Sequence, residues 1–194
     1  MRPLTLTIIQ EEHAALAAML RSLSMLLQQS RRNGTPPDFE VLRAMLFYID
    51  EFPERLHHTK ETTLLFPKLR AKVPGLSETL KRLDQEHTNG ERAIRHLEHL
   101  MIAYEVMGES RREAFENAVG RYVEFYLSHM GLEEQTILPA AKAHLSPEDW
   151  AELDQAFAEN RDPLAGHGSL EIYQPVVQKI LHKAPAPIGL GAST

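Results

Sequence analysis

The sequence predicts an all-α protein, an antiparallel four-helix bundle with additional C-terminal helices. Three observations predict it. Apolar residues recur at steps of three and four through four long segments, and short breaks containing Gly or Pro separate those segments. No stretch keeps the alternating pattern of a strand. Long amphipathic helices joined by short loops pack as antiparallel neighbours.

In the first segment, residues 4–31, Leu6, Ile9, His13, Leu16, Leu20, Leu23 and Leu27 form one stripe, which Asn33-Gly34 and Pro36-Pro37 end. The second runs from Asp38, a suitable N-cap, to about Leu69, with Pro53 expected to kink it and Pro74-Gly75 closing the region. A third starts with Ser77 as N-cap and Glu78 in its first turn, and ends near Gly108. The fourth covers roughly 110–145, bent or ended by Pro139. Ser146-Pro147-Glu148 starts a short helix carrying Trp150, Leu153 and Phe157. After a loop at 161–169, a stripe of Tyr173, Val176, Val177 and Ile180 marks residues 170–182. Three regions are therefore expected: the bundle (1–145), a C-terminal helical extension packed on the bundle or on a partner (146–182), and a Pro/Gly-rich tail expected to be disordered (183–194).

Composition narrows the function. The net charge of −6 opposes a nucleic-acid partner, since phosphate binding needs a basic surface. No run reaches the roughly 20 apolar residues of a membrane span, and no secretory pattern opens the chain, so the cytoplasm is the expected location. With no cysteine, thiol catalysis, disulfides and thiolate metal sites are excluded.

The polar residues on the stripes are the informative ones. His13 lies on the first; His57 and Glu61 on the second; His87 and Glu91 on the third; His129 and Glu133 on the fourth. His-x-x-x-Glu thus occurs three times, and a spacing of four sets both side chains on one helix face. Carboxylates aimed into a core cost several kcal/mol each unless a cation compensates them. Imidazole with carboxylate suits iron, with manganese or zinc as substitutes. Glu12, Glu86 and Glu134 point off the stripes and read as solvated. His58, about 100° round the helix from His57, is expected behind the ligands or at the surface. His96, His99, His144, His167 and His182 fit no ligand register.

Four stretches, "EEHAAL" (11–16), "HHTKETTLLFPKL" (57–69), "DQEHTNGERAI" (84–94) and "YLSHMGLEEQTILP" (126–139), together resemble the hemerythrin-like family, the HHE cation-binding domain. The resemblance implies a four-helix bundle around two iron ions joined by an oxo or hydroxo bridge. His13, His57, His87 and His129 would be terminal nitrogen ligands, and Glu61 and Glu133 bridging carboxylates. Oxygen-carrying members place a second histidine four residues after that of the third helix. This chain has Glu91 there, which its stripe position makes a seventh ligand. That count leaves one coordination position open. A ferritin-like centre is disfavoured, because only Glu54-x-x-His57 has its Glu-x-x-His spacing.

The expected function is binding or sensing dioxygen, or a related ligand such as peroxide or nitric oxide, in redox or iron homeostasis. The alternatives are a di-iron oxidase, peroxidase or nitric oxide-reducing enzyme, and a metal-stabilised helical interaction module. A homodimer stays open, and the sequence names no electron donor.

Overall fold

The computed structural model describes residues 3–160, 162–166 and 171–191. Six helices account for the fold: α1 (Leu4–Asn33), α2 (39–72), α3 (Ser77–Met107), α4 (112–144), α5 (Pro147–Phe157) and α6 (Gln174–Lys183). Local chemistry sets their ends. Gly34 ends α1 in the left-handed region (φ 63°), its N–H returning to the carbonyls of Ser30 and Arg31. Asp38 caps α2 by accepting from the N–H groups of Glu40 and Val41. Ser77 does not cap α3: a 3₁₀ turn at Pro74–Leu76 leads straight in, so Leu76 takes the cap position. Ser146 and Asp149 close a reciprocal capping box on α5.

The expected proline kinks are resolved within the helices by π turns. Segments Asp50–His57 and Glu61–Leu65 of α2 and Glu133–Ile137 of α4 are π-helical. The last two each lead into a proline, Pro67 and Pro139. A proline lacks the N–H for its own i−4 bond, and its ring crowds that carbonyl. Widening the turn ahead relieves the crowding: the N–H of Phe66 reaches the carbonyl of Glu61, and that of Leu138 reaches Glu133. In Asp50–His57 the proline, Pro53, lies inside the π segment itself. Both helices continue through their prolines, α4 as far as His144.

α1 and α3 each pack against α2 and α4, and two apolar clusters fill the interior. One gathers Leu16–Leu27 of α1, Val41–Phe52 of α2, Ile94–Tyr104 of α3 and Phe115–Met130 of α4. The other gathers Leu6–Ile9, Leu65–Leu69, Leu80–Leu83 and Ile137–Ala141. Helices α1 and α3 enter through the second cluster, α2 and α4 through the first, which is the antiparallel order expected. The predicted metal-binding residues lie between the two clusters along every helix.

α5 packs on α1, and α6 on α2. The tail is not free: Ala184 is fully buried, and Leu190 and Gly191 donate to the carbonyls of Leu181 and Ala184 at 2.8 and 2.9 Å. A side chain at Gly189 or Gly191 would collide with the Ala184 or Lys183 carbonyl. The composition that suggested disorder thus serves a close backbone approach. Residues 192–194 lie outside the described part. No helix among the described residues is long and apolar enough to cross a membrane.

Candidate metal centre

Helical spacing brings His13, His57, Glu61, His87, His129 and Glu133 together, each at most 6% exposed. Two sets of donor atoms share the carboxylates. Glu133 Oε2 lies 3.4 Å from both His13 Nε2 and His129 Nε2, and its Oε1 lies 3.7 Å from His87 Nε2. Glu61 lies 3.3 Å from His57 Nε2 and 3.6 Å from His87 Nε2. Each carboxylate therefore faces imidazoles of both sets.

None of the four oxygens of Glu61 and Glu133 has a hydrogen-bond partner, nor do His13 Nε2 and His57 Nε2. Unpaired groups at such depth cost several kcal/mol apiece without a compensating cation. Two ligands about 2.1 Å from a common ion lie roughly 3–3.5 Å apart, close to the separations found here. The donor set thus fits metal ions. His13, His57 and Glu61 form one candidate group, Glu61, His87 and Glu133 another, and His58, His87 and His129 a third.

The third group contains the main departure from the sequence reading. His58 is 3% exposed, stacked on His87 with ring centroids 4.3 Å apart. The expectation of a peripheral His58 assumed uniform α-helical steps. The π turn ending at His57 alters the register, so two consecutive histidines face inward. Burial, together with the neighbouring His87, His57 and His129, holds the His58 imidazole well below its usual pKa, in the neutral form a metal requires. Glu91 is not brought to the cluster. Its side chain is 45% exposed and pairs with Arg95 at 3.5 Å. It sits beside a cavity of about 140 Å³ whose inner lining includes Glu54, His58 and His87. In an α3 without π turns, the Glu91 position follows His87 by one ordinary turn but its longer side chain turns outward to its arginine.

Three glutamates read as solvated are outer partners of the histidines, each across a helix boundary. Glu12 of α1 accepts from His57 Nδ1 at 2.7 Å, Glu86 of α3 from His129 Nδ1 at 2.9 Å, and Glu134 of α4 from His13 Nδ1 at 3.1 Å. Thr62 Oγ1 meets His87 Nδ1 at 2.8 Å, and Glu54 meets His58 Nδ1 at 3.1 Å. Every one of the five histidines is thereby held at Nδ1, and Nε2 of His13, His57, His87 and His129 faces the two carboxylates. Such an arrangement fixes tautomer and ring orientation. The legible signal was an acid next to His13, His87 and Glu133; a stripe analysis treats such acids as outward because it sees one helix at a time.

The electrostatics follow. Burial opposes the imidazolium of His57, but Glu61 and Glu12 raise its pKa well above the ordinary value. His13 and His129 are raised against burial in the same way, by Glu133 and Glu134 and by Glu133 and Glu86. Burial alone would push the Glu133 carboxyl up; His129, His13 and His87 override it and hold it well below the carboxylate range.

Behind His58, Glu54 is 1% exposed and accepts from the hydroxyls of Tyr122 (2.7 Å) and Tyr126. Burial pushes its carboxyl up to about 7 against those hydrogen bonds. Gly90, costly in mid-helix by about 1 kcal/mol, is explained here: any side chain would strike the Tyr126 hydroxyl. His96, His99, His144 and His182 are exposed as expected, and His167 lies outside the described residues.

A helical bundle with a buried imidazole–carboxylate cluster defines a metal-binding class of protein. The chain matches the hemerythrin HHE cation-binding domain over residues 4–141, and it belongs to that family. No curated protein matches it.

Proposed function

We propose that this protein holds two iron ions between the apolar clusters and uses them to bind or sense dioxygen, peroxide or nitric oxide in redox or iron homeostasis. The observation that carries the reading is the pair of buried carboxylates, each facing two groups of inward nitrogens with its own oxygens unpartnered. His13 and His57 would hold one ion; His58, His87 and His129 the other; Glu61 and Glu133 would bridge them. Bound iron supplies reversible electron transfer and a site for a small ligand. The chain's own contribution is to fix the imidazoles and exclude water. The group with fewer nitrogens, His13 and His57, would leave its ion the less saturated, so a small ligand would bind on that side. Glu12 and Glu134 hold those two rings from behind. Manganese or zinc would fit the same donors.

Anaerobic iron loading followed by oxygen tests the reading. Two irons per chain and an optical change on oxygenation are expected, and one iron or none contradicts it. One observation favours the enzymatic alternative: the buried Glu54–Tyr122–Tyr126 group beside His58, a proton-holding cluster that simple ligand storage does not require. Sustained consumption of peroxide or nitric oxide with added reductant would select it.

A further inference from the structure

The three outer glutamates differ in what else faces the carboxylate. Glu86 is met by Arg82 Nε at 2.7 Å, a cation that takes up part of its charge. Glu134 has a side chain 44% exposed, so water screens it. Glu12 is 6% exposed, and its partner is a neutral amide: Asn160 Nδ2 donates at 3.1 Å to the same Oε2 that accepts from His57. His57 therefore faces the least screened of the three carboxylates, with a residue outside the family match sharing it.

Asn160 is 3% exposed, and its own Oδ1 finds no partner among the described residues. An unpaired buried acceptor costs about 1–3 kcal/mol, so an apolar residue would suit stability better. The segment around it is pinned at the same level of the bundle. Phe157, fully buried, sets its ring edge-on to His57 at 6.5 Å. Lys60 Nζ donates to the Ala156 carbonyl at 2.5 Å, and Asp154 accepts from Thr5 N–H and hydroxyl at 2.7 and 2.6 Å. On the far side of Asn160, Asp162 accepts from the Tyr48 hydroxyl. These contacts tie the extension to α1 and α2, the helices that carry His13 and His57.

We infer that Asn160 is a positioning residue for one metal ion of the pair, acting through Glu12 on His57. The inference rests on the two-iron reading above. By donating to Glu12, the amide limits how much negative charge that carboxylate directs into the His57 imidazole. It also fixes the carboxylate, and hence the ring. A stronger carboxylate–imidazole bond makes the ring a better donor and favours the ferric state; Asn160 opposes that shift at the ion with fewer nitrogens. The extension is thus part of the metal centre.

Mössbauer spectra of ⁵⁷Fe-loaded full-length protein, with the midpoint potential, test this. Asn160→Leu, close in volume, should shift one of the two iron doublets, leave the other, and lower the potential. Asn160→Asp, which replaces the donor by an acceptor, should move the same doublet and weaken binding of one ion by about 10- to 100-fold. It keeps the test alive should the leucine variant not fold. Both doublets unchanged, or both shifted alike, would overturn the inference. If native protein takes up no iron pair, the two-iron reading itself falls and this inference with it.

Discussion

Helices α1 and α3 reach the metal layer as uninterrupted α-helices and contribute one inward histidine each, while α2 and α4 reach it through π turns and contribute the rest. A regular helix presents one position per turn to a given point, enough for His13 or His87. His129 and Glu133 are one ordinary α turn apart, the Glu133 N–H returning to the His129 carbonyl, whereas turning His58 inward beside His57 requires the locally wider turn that ends at His57. Pro67 and Pro139 stabilise the wider turns just ahead of them, Glu61–Leu65 and Glu133–Ile137, by withdrawing the N–H that an α-helix would use. The straight helices also supply outer carboxylates, Glu12 to His57 on α2 and Glu86 to His129 on α4, while α4 returns Glu134 to His13 on α1. Every helix thus supplies both inward donors and outer partners, with α2 and α4 supplying the larger share of the inward donors.

Metal removal should have the largest effect, because it strands the groups on the π turns. Ion present at 100 times its dissociation constant adds roughly 2.7 kcal/mol per site by linkage. The metal-free protein should also lose stability as pH rises. His13, His57 and His129 have folded pKa values above the ordinary 6.5. Their contribution is then fully present below pH 6.5 and lost as pH climbs through the folded values. Melts of stripped and reloaded protein across pH 6–9 should diverge upward in pH; curves that stay parallel would count against buried, mutually paired histidines.

Next in size is Pro67→Ala. Residue 67 is exposed, and alanine restores an N–H that can reach Thr63, favouring the α path over the π turn. Metal-free protein should gain stability, as alanine suits a helix better, while iron affinity falls about tenfold. Gains or losses of both together would show that the π turn does not serve the site.

The smallest expected effect lies far from the metals. Lys72 and the Ser146 backbone hold Asp149 down at about 2. A depressed carboxyl contributes stability above its unfolded value of 3.8, lost as pH falls through 2. Asp149→Ala should cost about 1 kcal/mol at pH 6 through the lost capping box, and flatten the acid slope between pH 4 and 2. An unaltered slope would remove the α5 cap from the account.

The bundle was legible because periodicity alone fixes which faces meet, and six of the metal-layer residues fell on the stripes for the same reason. What escaped were matters of register and of neighbours. His58 looked peripheral because the sequence was stepped at a constant angle, whereas prolines and π turns change that angle. Glu91 looked central for the complementary reason, that α3 is regular and its stripe continues past His87; the stripe could not show that Arg95 one turn later draws the carboxylate outward. Glu12, Glu86 and Glu134 looked solvated because their partners lie on other helices. The tail looked disordered because glycine composition does not distinguish freedom from close packing.

Iron bound per chain after anaerobic loading, compared among native protein, Glu91→Gln and His58→Ala, tests the central claim most directly. The account predicts two irons in the native protein and in Glu91→Gln, whose side chain lies outside the cluster, and loss or marked weakening of one in His58→Ala. Two irons retained in His58→Ala with one lost in Glu91→Gln would contradict it, returning the seventh ligand to α3.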